Sequence, residues 1–126
     1  PETGKLLLAD NAKRLRDGLF GQGVPAAALE EHLGVLGNPE ALEAALAWYR
    51  SNKGLAADIG TIQVPTLYIW GDADATVGPD AAHDTGDFVG AVYAMEVLPG
   101  IGHFIMDQAP ARATELLLAH LERHPV

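Results

Sequence analysis

A chain of 126 residues holds one domain's worth of core at most. Eight basic against seventeen acidic side chains leave a net charge of −9, the wrong sign for a nucleic-acid face or an anionic membrane surface. Hydrophobic residues make up 48% and charged residues 20%, a globular balance, and the absence of cysteine rules out disulfides and thiolate sites.

No apolar run approaches the roughly 20 residues of a membrane span. The chain opens on Pro1-Glu2-Thr3-Gly4, with no initiator Met, basic segment or apolar leader. The expectation is a piece of a longer or trimmed polypeptide, placed in the cytoplasm for want of a visible export signal. Leu7, Leu8, Ala12, Leu15 and Leu19 recur at three- and four-residue steps and predict a helix over about 5–19. Gly18, Gly21 and Gly23 end it, and Pro25 opens a short second helix over 26–36. Gly37-Asn38-Pro39 breaks the chain; Asn38 then caps a third helix over 39–51, with Pro39 in its first turn.

The period changes after Val64-Pro65. Thr66-Leu67-Tyr68-Ile69-Trp70 is a continuous apolar run bounded by Pro and Gly, the pattern of a strand buried on both faces. A short helix over 79–87, a strand over 91–98 and an amphipathic helix over 109–122 follow. Helices alternating with strands predict an α/β fold with a parallel sheet. Two strands make a poor sheet, so further strands are expected from another segment or another copy of the chain.

The loops after the two strands stand where open α/β sheets gather their reactive groups. The first, 71–77, offers Asp72 and Asp74; the second, 99–104, offers His103. If the strands are neighbours, a carboxylate and an imidazole meet. An Asp on Nδ1 fixes the tautomer and leaves Nε2 as a general base. The order acid before His is that of the hydrolase sequence nucleophile, acid, His.

Val64-Pro65-Thr66-Leu67-Tyr68-Ile69-Trp70-Gly71-x-x-Asp74, then Leu98-Pro99-Gly100-x-Gly102-His103-Phe104, then Gln108-x-Pro110, resembles the C-terminal half of α/β-hydrolases over roughly residues 38–124. The resemblance implies the last parallel strands of that fold with their flanking helices, plus part of a helical lid. It assigns 1–37 to the lid and 38–126 to the core, with the helix at 39–51 joining them. It also implies that Asp74, rather than Asp72, is the acid of a catalytic triad and His103 its base. Ala47-Trp48-Tyr49-Arg50 is similar to the N-W-Y-R lid segment of epoxide hydrolases and related dehalogenases, with Ala47 where Asn is common. That similarity implies a substrate-facing hydroxyl on Tyr49. Trp70 beside the acid loop and Phe104 beside the base are candidate pocket residues, each with core packing as the alternative.

The nucleophile elbow of the family, G-x-S-x-G or G-x-D-x-G, does not precede Asp74: Thr3, Ser51 and Thr61 all lie outside such a context. The implied activity is thus a cofactor-free, epoxide-hydrolase-like hydrolysis of a small molecule, with the nucleophile on an N-terminal half. A Ser esterase or lactonase, a haloalkane dehalogenase, or a ligand-binding member without turnover are the alternatives. His32, His120 and His124 are expected on helix surfaces and His83 in a loop or helix. With no ligand cluster recognised, no metal is expected.

Overall fold

The computed structural model describes residues 2–52 and 60–125. The chain divides into two compact units, Pro1–Ile59 and Gly60–Val126.

Among the described residues the first unit is built from the helical segments α1 (Glu2–Gly21, two helices joined across a kink), α2 (Ala26–Leu36) and α3 (Pro39–Ser51), each packed on the other two. Leu19, Val24, Leu29, Leu33 and Leu42 are its buried apolar side chains, joined by Ala12. The continuous helix predicted over 5–19 is broken at Ala9–Ala12, where Asp10, Asn11 and Ala12 take φ of 51°, 57° and 56°. Asp and Asn are the side chains that tolerate the left-handed region best, and a local Asp-Asn pair gives the chain its way out of the helix. Ala12 is carried into that region at a cost of about 1–2 kcal/mol. Its burial, and the bond from Arg16 Nε to the Asn11 carbonyl at 3.2 Å, work against that cost. Asn38 caps α3 as its position predicts: Oδ1 accepts from the amides of Glu40 at 2.8 Å and Ala41 at 3.3 Å. The boundary between the two compact units lies after Ile59. The physical reason is that α3 lays its apolar side, Leu42 included, against α1 and α2.

The second unit runs β1 (Thr66–Gly71), α4 (Pro79–Asp84), a 3-10 turn (Thr85–Phe88), β2 (Tyr93–Leu98), α5 (Ile105–Gln108) and α6 (Pro110–Arg123). The strands pair in parallel, from Thr66 opposite Tyr93 to Gly71 opposite Leu98. A parallel pair needs a crossover, and α4 with its 3-10 turn supplies it. Alternation along the strands puts Tyr68, Trp70 and Tyr93 on one face and Leu67, Ile69 and Glu96 on the other. Trp70 meets the His83 ring of α4, centroids 6.1 Å apart. Glu96 Oε2 lies 3.8 Å from an Arg112 nitrogen of α6. The two helices therefore cover opposite faces of the sheet.

Burial of the strands is less than their sequence predicts. Trp70, Gly71 and Leu98 are buried, but the rest of both strands is half-buried or more open. Among the described residues β1 and β2 pair only with each other, so each keeps one open edge. The helix predicted over 79–87 stops at Asp84 and tightens into the 3-10 turn. Residues 105–108, between the His loop and the last predicted helix, form the single turn α5. His120, expected on the surface, is 8% exposed: α6 buries Ala113, Leu116 and His120 as one stripe, and His120 Nε2 lies 3.3 Å from the Pro65 carbonyl. Among the described residues no helix is long and apolar enough to cross a membrane.

Candidate active site

The strand register decides where the two loops begin. Gly71 and Leu98 are opposite each other at the ends of β1 and β2, so the acid loop and the His loop leave the sheet side by side. They are then sewn together. The Asp72 amide donates to the Leu98 carbonyl at 3.2 Å and the Ala73 amide to the Ile101 carbonyl at 3.0 Å. Gly71 is required at the seam. A Cβ there would stand 2.0 Å from the Ile101 oxygen, closer than any side chain is tolerated. Gly100 has φ of 71°, the left-handed conformation that glycine adopts without strain.

Asp74 lies at the end of this seam. Its side chain is 4% exposed, and both carboxylate oxygens are used. Oδ1 accepts from the amides of Thr76 at 2.7 Å and Val77 at 3.0 Å, a local turn that aims the carboxylate. Oδ2 lies 3.0 Å from His103 Nδ1. The carboxylate accepts, so Nδ1 carries the hydrogen and Nε2 is the basic nitrogen. Burial works to raise the Asp74 carboxyl, but the bonds from His103, Val77 and Thr76 and the nearby imidazole charge outweigh it. The net effect holds the group below its ordinary value, so it is an anion at neutral pH. The His103 side chain is 40% exposed: the acid is buried and the base faces outward. Such a pair takes a proton at Nε2 and stabilises the imidazolium that results.

Asp72, the competing acid, points elsewhere. Its Oδ1 accepts from the Gly100 amide at 2.6 Å. Trp70 is 5% exposed, and its indole N–H donates to the Val77 carbonyl at 3.0 Å. The ring thus props the Asp74 turn from beneath and belongs to the interior, the packing alternative of the sequence expectation. Phe104 is half-buried, its ring edge-on to His103 with centroids 5.5 Å apart. Tyr49 belongs to the first unit, 68% exposed on α3 and edge-on to Trp48 at 5.1 Å.

No family model matches the chain, and no curated protein matches it. Solved structures do. A crystal structure described as a serine hydrolase involved in carbazole degradation (CarC) is 24% identical, with a TM-score of 0.68 over 87% of this chain and 45% of that one. A second, MGS-MChE2, an α/β-hydrolase enzyme from the metagenome of lagoon sediments at Mar Chica, Morocco, is 23% identical, with a TM-score of 0.55 over 75% of this chain and 44% of that one. The fold is part of the α/β-hydrolase fold. The chain spans less than half the length of these two proteins, and at such identities the likeness is one of fold.

Several residues escaped the sequence. Gln108 Oε1 accepts from the Gly102 amide at 2.9 Å, one residue before His103. The Gln108-x-Pro110 spacing marked it, but only the turn of α5 brings it back. Tyr68 shares the sheet face of Trp70; burial first, then the Asp74 charge, pushes its hydroxyl up. Tyr93 is raised by burial, and its Oη has no hydrogen-bond partner among the described residues. His120 and His124 stand four apart with rings 4.7 Å apart, a pairing passed over in the sequence. Among the described residues no group of three His, Asp or Glu side chains is placed to hold a metal ion.

Proposed function

We propose that this chain supplies the acid and the base of a hydrolase, with Asp74 orienting His103 and the nucleophile contributed by polypeptide outside these 126 residues. The observation that carries the reading is the buried Asp74 carboxylate 3.0 Å from His103 Nδ1, at the C-terminal ends of two parallel strands. A likeness in fold to a protein described as a serine hydrolase favours Ser as the nucleophile.

The steps follow from the pair. His103 Nε2 takes the hydroxyl proton of the nucleophile as its oxygen attacks the carbonyl of a small ester, and Asp74 stabilises the imidazolium. The imidazolium returns its proton to the leaving alcohol as the ester bond breaks. Nε2 then takes a proton from water, whose hydroxide attacks the covalent ester; the imidazolium returns that proton to the nucleophile oxygen as the acyl bond breaks, and the carboxylic acid leaves. A second reading, opening of an epoxide by an Asp nucleophile, is favoured by Ala47-Trp48-Tyr49-Arg50 alone, with Tyr49 donating to the oxygen of the opening ring.

The test is turnover of a panel of esters and epoxides by the complete protein. Ester hydrolysis falling by about 10³ in His103→Ala supports the reading, since general acid–base catalysis is worth roughly 10²–10⁴. Unchanged turnover in that variant overturns it. Epoxide turnover that is slowed selectively by Tyr49→Phe would favour the second reading over the first.

A further inference from the structure

The backbone that presents His103 is held by two side chains that play no part in the proton transfers. Between β2 and His103 the chain runs Pro99-Gly100-Ile101-Gly102, and a loop with two glycines in four residues has little stiffness of its own. Yet each amide of 100–102 is engaged. Gly100 N donates to Asp72 Oδ1 at 2.6 Å, Ile101 N to the Leu98 carbonyl at 3.4 Å, and Gly102 N to Gln108 Oε1 at 2.9 Å. Only the middle one is a backbone pair. The outer two depend on side chains from different elements.

The two braces differ in what they connect. Asp72 follows β1 and precedes Asp74 by two residues, so its carboxylate joins the acid loop directly to the His loop. The short, charge-assisted bond is the stronger kind. Gln108 closes α5, which begins just after Phe104, so its carbonyl ties the residue before His103 to the turn that follows it. Gly102 is buried, and without Gln108 Oε1 its amide would lose that acceptor in a place water reaches poorly.

We propose that Asp72 and Gln108 are positioning residues that fix the height of the His103 ring against Asp74 through the Gly100 and Gly102 amides. This rests on reading Asp74 and His103 as acid and base. The contact they protect is 3.0 Å long, and a loop displacement of about 1 Å takes it beyond hydrogen-bond range. A misplacement of that size costs about 10²-fold in rate where geometry governs catalysis.

The experiment is proton and nitrogen NMR of the imidazoles in the protein, with kinetics of the complete enzyme alongside. The wild type gives a low-field His103 Nδ1 proton that vanishes in Asp74→Ala. Asp72→Ala and Gln108→Leu shift or lose that proton while the Trp70 indole proton, bonded within the acid loop, stays in place. Asp72→Asn and Gln108→Glu keep an accepting oxygen and recover most of the signal. In turnover the first two variants lower kcat by about 10-fold or more and leave KM within about twofold, the split expected of lost geometry at the reacting centre. If Asp72→Ala does not fold, Gln108→Leu and the two conservative variants decide. An unmoved His103 proton in Gln108→Leu, or conservative variants as damaged as the others, overturns the proposal. A wild type with no such proton overturns the Asp74–His103 pairing itself, and the function read from it falls as well, so the two failures are told apart.

Discussion

Replacing Gly71 with Ala tests the seam between the two loops. The added methyl would lie 2.0 Å from the Ile101 carbonyl oxygen, 2.6 Å from its carbon and 2.9 Å from the Gly102 oxygen. Carbon–oxygen contacts ordinarily begin near 3.3 Å, so residues 101–102 must retreat by more than about 1 Å. All three atoms are backbone, and no rotamer change relieves them. The retreat strains the Ala73–Ile101 and Asp72–Leu98 hydrogen bonds. Overpacking costs about 1–3 kcal/mol and each weakened bond about 1 kcal/mol, for a predicted loss of about 3 kcal/mol. Equilibrium denaturant unfolding measures it. The control is Gly100→Ala, where nothing lies within 4 Å of the new methyl but φ is 71°. There the loss is the conformational one alone, about 1 kcal/mol. A Gly71→Ala protein within about 0.5 kcal/mol of wild type would refute the close approach of the loops.

Other perturbations test the parts separately. Asp74 has a folded pKa below its unfolded one, so its stabilisation is full above the unfolded value near 3.9 and is lost as pH falls through the lower folded value. The unfolding free energy of wild type minus that of Asp74→Asn should therefore close as pH falls below about 4; a gap that widens over that range contradicts the assignment. Trp70→Phe leaves the Val77 carbonyl without its indole donor and should lose about 1–2 kcal/mol by denaturant titration. Asn38→Ala removes the cap of α3 and should lose about 1 kcal/mol from the helical unit, read by circular dichroism during thermal unfolding.

What was legible in the sequence was what local chemistry controls. The apolar run at Thr66–Trp70, closed by Pro65 and Gly71, could hardly be anything but a strand. Asn38-Pro39 wrote its own helix start. Asp74 and His103 were visible because each follows a strand end, and neighbouring parallel strands then bring them within 3.0 Å. What stayed hidden depends on contacts across the chain. The break at Ala9–Ala12 falls inside a sequence of sound helical period, and only its left-handed Asp-Asn-Ala conformation reveals it. His120 looks like any polar residue near a helix end, but it shares a stripe with Ala113 and Leu116 and meets Pro65 from another element. Trp70 was a candidate for the pocket because it adjoins the acid loop. Strand alternation instead turns it under α4, where its indole nitrogen serves the Asp74 turn. Asp72 and Gln108 gain their meaning only when the His loop folds back between them.

The most direct measurement is the site of covalent labelling. The complete protein would be reacted with a fluorophosphonate or trapped with a slow ester substrate, digested, and the modified peptide sequenced by mass spectrometry. The account predicts a single adduct on a Ser in a strand–elbow–helix segment outside these 126 residues, formed by the wild type and lost in His103→Ala. An adduct that forms as readily without His103, or one attached to a residue of this chain, would contradict the claim that Asp74 and His103 serve as the acid and base of a hydrolase.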